Sequence, residues 1–253
     1  MSAVATERSH PRPAPPSAGG ATLPSPEILI AQARHENFPV ALWILGPRLR
    51  RHLMAVYGFA RLVDDVGDEV NGDRLALLDV LQRELDQPEH PLMRELAHTV
   101  RACGLRREPL AALIEANRRD QVVQRYDSFA ALLEYCQLSA APVGQLVLGV
   151  FGVCTPQRVA LSDQVCNALQ VIEHLQDVDE DRARGRVYIG DFDAVAEAGR
   201  LLTAGPPLVR SLRGRARLAV AGFLAGGRVA LEELRSGRRP RFAPAYLRAV
   251  LGR

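Results

Sequence analysis

Residues 57–69 read YGFARLVDDVGDE, which places four carboxylates, Asp64, Asp65, Asp68 and Glu69, in six positions directly behind an apolar run. Like charges this close cost helix stability, and a surface helix usually interleaves its acids with Lys or Arg. If one helix runs through the stretch, Tyr57, Arg61, Asp64 and Asp68 follow at spacings of four, three and four. They then share a face, with the two aspartates one turn, roughly 6 Å, apart. A second face of this kind lies in ALQVIEHLQDVDEDRARGRVY, residues 168–188, where Gln170, Glu173, Asp177 and Asp181 follow at three, four and four. Arg182, Arg184 and Arg186 come directly after it.

Two readings are open. Each stretch can be a solvated helix end, with Arg61 and Arg182 as salt-bridge partners. Alternatively, each aspartate pair faces an interior cavity, because each sits in a strongly apolar helix where unpaired carboxylates are costly. A hard divalent cation resolves that cost. Mg²⁺ takes one or two carboxylates, keeps several waters and fills its other positions with phosphate oxygens. Two facing helices with DxxxD pairs would hold Mg²⁺ around a diphosphate, with arginines on the same anion and apolar walls around a hydrocarbon tail. The chemistry such a site serves is ionisation of an allylic or cyclopropylcarbinyl diphosphate.

The elements that must position these faces read as helices from residue 25 onward. Ser25-Pro26-Glu27 has the form of an N-cap with proline at the first helical position. Pro47 opens a helix whose Leu49, Leu53, Val56, Ala60 and Val63 form an amphipathic stripe. Asp73 and Pro91 begin further helices that end near Asp86 and Gly104, and residues 108–124 and 128–151 are helical, with a kink expected at Pro142. Thr155-Pro156 caps a helix expected to reach about Arg184. Residues 190–205 and 206–240 read as helices with glycine-rich breaks. The ending, SGRRPRFAPAYLRAVLGR, is either a packed terminal helix or a basic amphipathic segment that touches a membrane surface. The fold class expected is all-α over residues 25–253, behind a Pro-rich disordered tail at 1–24 that has no apolar signal core.

Composition narrows the function. All 32 basic residues are Arg, so neither Schiff-base chemistry nor a P-loop lysine is available, and Arg is the sole side-chain cation for gripping phosphate. A net charge of +3 carries no nucleic-acid footprint. Cys103, Cys136, Cys154 and Cys166 are widely spaced, which fits buried thiols in a reducing, cytoplasmic setting better than zinc or disulfides. No apolar stretch is long enough to span a bilayer.

NFPVALWILGPRLRRHLMAVYGFARLVDDVGDE (37–69), YCQLSAAPVGQL (135–146) and LQVIEHLQDVDEDRARGRVY (169–188) together resemble the squalene/phytoene synthase family over roughly residues 27–188. The resemblance implies a single helical bundle of isoprenoid-synthase type around a central cavity, with Mg²⁺ and diphosphate at one end. It implies Mg²⁺ ligation by Asp64, Asp68, Asp177 and Asp181, with Asp65 and Glu180 as weaker candidates. Tyr57 and Arg61 match the tyrosine and arginine ahead of the first motif, and Arg186 and Tyr188 match the GRxY segment whose arginine contacts diphosphate. Phe38 matches the phenylalanine of a flap near the cavity mouth.

Where carbon–carbon-forming members usually carry Asn and Arg in NxxRD, this chain has Glu173 and Gln176, and Leu138 replaces a tyrosine after YC. These departures look most like the hydroxysqualene synthase branch of bacterial hopanoid pathways. That branch takes presqualene diphosphate, lets the cation rearrange and quenches it with water, and a separate enzyme then reduces the product. The catalytic set this implies is Tyr57, Arg61 and Glu173, with Glu173 or Tyr57 orienting the water. The implied partners are an isoprenoid diphosphate, other enzymes of that pathway and a peripheral contact with the inner membrane face. Two alternatives stay open: a head-to-head prenyltransferase on the same metals, and a non-catalytic helical protein retaining the fold.

Overall fold

In the computed structural model, Leu23 and residues 45–238 and 240–252 are described, and among them twelve helices and one isolated bridge make up the regular structure. In chain order the helices are α1 (Pro47–Asp68), α2 (Arg74–Glu84), α3 (Pro91–Cys103), α4 (Arg107–Asp120), α5 (Phe129–Ser139), α6 (Ala141–Val150), α7 (Pro156–Gln176), α8 (Val178–Ala183), α9 (Ala194–Leu202), α10 (Gly205–Ser211), α11 (Gly214–Ser236) and α12 (Phe242–Val250). The all-α expectation holds. Phe38, the Ser25-Pro26 cap and the flap around Asn37 lie outside the described residues.

Local chemistry sets most boundaries. Pro47 and Pro91 occupy first turns, where no amide is needed, and the Asp73, Ser128, Thr155 and Asp193 side chains accept an amide from the first turns of α2, α5, α7 and α9. Gly104 closes α3 at φ +62°, a conformation cheap only for glycine.

Two expectations are corrected. Residues 128–151 form two helices divided at Ala140, and Pro142 sits in the first turn of α6, where proline is tolerated, instead of kinking one long helix. The helix begun at Thr155 ends at Gln176, and Asp177, at φ −103° and ψ 17°, joins it to the short α8. Four carboxylates between 177 and 181 repel one another across that joint.

Side chains bury into two apolar cores. One contains the inner faces of α1–α4 with Leu146, Val147 and Val150 of α6; the other contains α5, α7 and α9–α12 with Tyr126 and Tyr188. Between them lies an apolar hollow of about 150 Å³, walled by Leu53, Val56, Tyr57 and Ala60 of α1, by α6, by Val165, Cys166 and Leu169 of α7, and by α10 and α11. Gly144 lets α6 press against α7 at this wall. A Cβ there would lie 2.4 Å from Ser162 Oγ and 2.6 Å from Cys166 Sγ. Gly144→Ala is therefore expected to destabilise the fold by about 1–3 kcal/mol, as overpacking does, which a urea titration would measure.

The final segment packs. Ala245 and Ala249 are buried, Tyr246 donates to the Leu218 carbonyl at 3.3 Å and Arg217 donates to the Val250 carbonyl at 2.9 Å. All four cysteines are free thiols, and no helix among the described residues is long and apolar enough to cross a membrane.

Candidate active site

α1 runs unbroken through the first acidic stretch, so Asp64 and Asp68 keep the one-turn spacing. The hollow-lining Tyr57 and Ala60 stand one turn ahead of Arg61 and Asp64, and on α7 Leu169 stands one turn ahead of Glu173. Both helices thus pass from the apolar wall into an acidic face at the same end of the hollow. The faces sense each other: the Glu173 charge is among the groups acting on Asp64.

Asp64 is open to water yet has protein on every side, as befits a side chain lining a deep opening. Burial is the main cause that pushes its carboxyl up to about 7, with Asp68 and Glu173 adding repulsion, while Asn117 and Arg61 pull the other way. Water in the opening relieves part of that desolvation. Asn117 Nδ2 donates to Asp64 Oδ1 at 3.1 Å. Asp177 is raised in the same sense, by burial first and then by Glu180 and Asp181.

The arginines divide in an unexpected way. Arg61 Nε lies 2.8 Å from the buried Asp65 carboxylate, an ion pair within α1. Arg182 lies only 4.0 Å from the fully exposed Asp179. Arg184 reaches Glu180 at 2.9 Å and Asp68 at 3.6 Å, and Arg186 reaches Asp68 at 2.7 Å. The second stretch therefore delivers its arginines onto the first stretch's aspartate. A bridge between Arg125 and Val187 holds them there, with the Tyr126 amide on the Val187 carbonyl at 3.1 Å and the Val187 amide on the Gln124 carbonyl at 2.7 Å.

Tyr188 is buried, and its hydroxyl donates to Asp120 Oδ1 at 2.9 Å. Tyr135 donates to the other Asp120 oxygen at 2.6 Å. The Tyr188 ring stacks on His174 with centroids 3.8 Å apart, and His174 Nδ1 lies 3.3 Å from Asp181 Oδ2. Gln170 Nε2, a donor only, faces His174 Nε2 at 3.3 Å, which leaves Nδ1 to carry the hydrogen offered to Asp181. A contact of this kind orients the Asp181 carboxylate.

Asn117, Asp120, Tyr135 and His174 are thus functional neighbours that motif spacing did not single out. A signal existed for two of them. Asn117 and Asp120 are buried polar residues on the same α4 face as Leu110, Leu113 and Ile114. Gly67 also finds its reason here, because a Cβ on it would lie 2.0 Å from Asn117 Oδ1. Gly67→Ala should displace Asn117 from Asp64, lower stability by about 1–3 kcal/mol and reduce turnover, whereas the added Asn117→Ala change should recover stability without activity. Chemical denaturation and steady-state kinetics on both variants check this.

Among the described residues no three His, Cys, Asp or Glu side chains converge into a ready-made metal cage. Mg²⁺ does not need one, since one or two carboxylates per ion suffice when waters and phosphate complete the shell. The donor set fits that open kind of site. Asp68 Oδ1 is buried without a well-angled hydrogen bond, despite Arg186 nearby, and Asp64 and Asp177 bear a charge penalty that a cation would remove.

The chain is similar to known proteins. Residues 31–191 match the family described as squalene/phytoene synthase. A hydroxysqualene synthase of Zymomonas mobilis is 41% identical over 162 residues, 61% of this chain, and the match spans only 54% of that protein's length. One from Rhodopseudomonas palustris is 37% identical over 81% of this chain and 73% of its own. The crystal structure of a squalene synthase from Alicyclobacillus acidocaldarius aligns with a TM-score of 0.77 at 36% identity, covering 84% of this chain and 93% of that one.

Proposed function

The chain belongs to the squalene/phytoene synthase family, and from that membership we propose that it converts presqualene diphosphate and water to hydroxysqualene and diphosphate in a squalene or hopanoid pathway. One observation carries the reading: the acidic faces of α1 and α7, near enough for the Glu173 charge to act on Asp64, continue helices whose preceding turns wall an almost wholly apolar hollow. Two relatives named hydroxysqualene synthase support the choice of reaction within the family.

In this reading Asp64, Asp68, Asp177 and Asp181 hold Mg²⁺, which supplies Lewis-acid stabilisation of the departing diphosphate when bound. His174 fixes the Asp181 carboxylate, and the Asp120, Tyr135 and Tyr188 platform fixes His174. Arg186 and Arg184 exchange part of their pairing with Asp68 for the diphosphate oxygens. As the carbon–oxygen bond breaks, its electron pair leaves with the diphosphate, and the apolar walls keep water from the cation while it rearranges. Glu173 then orients one water, whose oxygen joins the cation and whose proton the carboxylate accepts. Tyr57, at the junction of apolar wall and acidic face, steers the chain into place.

The hollow is smaller than the ~300–1,000 Å³ usual for small-molecule pockets, so admission of a long isoprenoid chain requires its lining side chains to part. The deciding experiment supplies purified protein and Mg²⁺ with presqualene diphosphate alone and with farnesyl diphosphate alone. Hydroxysqualene and free diphosphate are expected from the first and no coupled product from the second. Product from farnesyl diphosphate would make the protein a coupling enzyme instead. The similarity to a squalene synthase of known structure favours that second reading.

A further inference from the structure

A second opening, about 520 Å³, lies further along α11 than the hollow, between α9, α11 and α12. Its walls carry Arg228, Arg235 and Arg248 against a single carboxylate, Glu232, with Leu202 and Ala245 at its apolar base. The positive charges crowd one another, since burial and then the Arg248 charge both act against the charged form of Arg228. Residues 235–253 continue the imbalance with six arginines and no Asp or Glu.

Beside this groove the outer face of α12 is apolar as well as basic. Ala245 and Ala249 bury the inner face, while Leu247 is 64% exposed and Leu251, four residues on, is 60% exposed. Phe242, at the start of the helix, is 41% exposed. These are three of the five large hydrophobic side chains exposed among the described residues. A helix that packs by one stripe and shows leucines flanked by Arg241 and Arg248 on the other has the make-up of an interfacial helix on an anionic surface.

We propose that α12 and the arginine groove beside it dock the protein on an anionic phospholipid bilayer, with headgroup phosphates in the groove and Leu247 and Leu251 in the acyl boundary. Charge complementarity selects this occupant. Guanidinium groups pair bidentately with phosphate, and basic side chains at an anionic leaflet add to the binding from buried apolar groups. The position is apt, because the hollow and the groove share α11 as a wall. Gly227 stands between them, where a Cβ would lie 2.3 Å from the hollow-lining Leu169 and 3.7 Å from Leu202 of the groove. The proposal does not depend on which isoprenoid reaction the protein performs.

The test is co-sedimentation of the intact protein with vesicles of phosphatidylcholine alone and of phosphatidylcholine with about one third phosphatidylglycerol. Binding is expected to the anionic vesicles only, and to be lost near ~1 M salt, where the Debye length is about 3 Å. The pairs R235Q/R248Q and L247S/L251S should each weaken partitioning about tenfold while keeping the helical circular dichroism and the turnover in detergent solution. Equal binding to both vesicle types, no binding to either, or unchanged binding by both variants would overturn the proposal. So would a melting-temperature rise with inorganic phosphate alone that R235Q/R248Q abolishes without altering vesicle binding, since the groove would then be a small-anion site.

Discussion

Asp64→Asn is expected to lower turnover by about 10³-fold or more while leaving the helical circular dichroism unchanged. The substitution keeps the size and shape of the side chain, and its amide oxygen can still accept from Asn117 at the observed 3.1 Å position. What it removes is the negative charge. The metal-free protein should respond in the opposite sense. The Asp64 carboxyl has an ordinary value of 3.8 and is pushed up to about 7 in the fold, so between those limits the folded state holds a proton that the unfolded state has lost. Stability from this group therefore falls as pH rises through that window, and above about 7 the fold carries the full penalty. Without Mg²⁺, Asp64→Asn should melt higher than the parent above pH ~7 and at the same temperature below pH ~4. Turnover near that of the parent, or a lower melting temperature at high pH, would remove Asp64 from the proposed metal site.

Arg186→Gln is expected to cost about 10²–10³-fold in turnover, the scale of losing one preorganised charge donor. It should also cost about 2 kcal/mol of stability, because Asp68 would be left with a poorer partner. Loss of a fully buried pair costs ~3–5 kcal/mol, but here Arg184 remains at 3.6 Å. The two effects can be separated. Adding Asp68→Asn removes the stranded charge, so the double variant should recover stability and stay inactive. Urea denaturation and diphosphate release measure the two quantities. A double variant as unstable as the single one would mean that Arg186 holds the fold by packing alone.

Much of this architecture is legible in local residue patterns. Pro47, Asp73, Pro91 and Gly104 mark helix ends by their own chemistry, and the three-and-four spacing from Tyr57 to Asp68 survives because α1 is continuous. The joint at Asp177 is harder to see, since helix periodicity continues across it and the Asp181 amide still bonds the Asp177 carbonyl at 2.8 Å. The platform behind the site leaves almost no local trace. Asp120 meets Tyr188 across 68 positions, and Asn117 meets Asp64 across 53, so each pair becomes meaningful only once the helices are assembled. Arg61 adds a contact of its own, since its Nε pairs with Asp65 one turn on, which the spacing from Tyr57 to Asp68 does not announce.

The division of the interior into two apolar cores implies how an occupant would act on the whole molecule. A greasy chain lodged between them would touch both at once, as mortar touches two courses of brick. The halves meet along α6 and α7, and with the hollow filled they would share one continuous oil phase. Loading such a protein should therefore sharpen its melting curve as well as shift it, the two halves now giving way together.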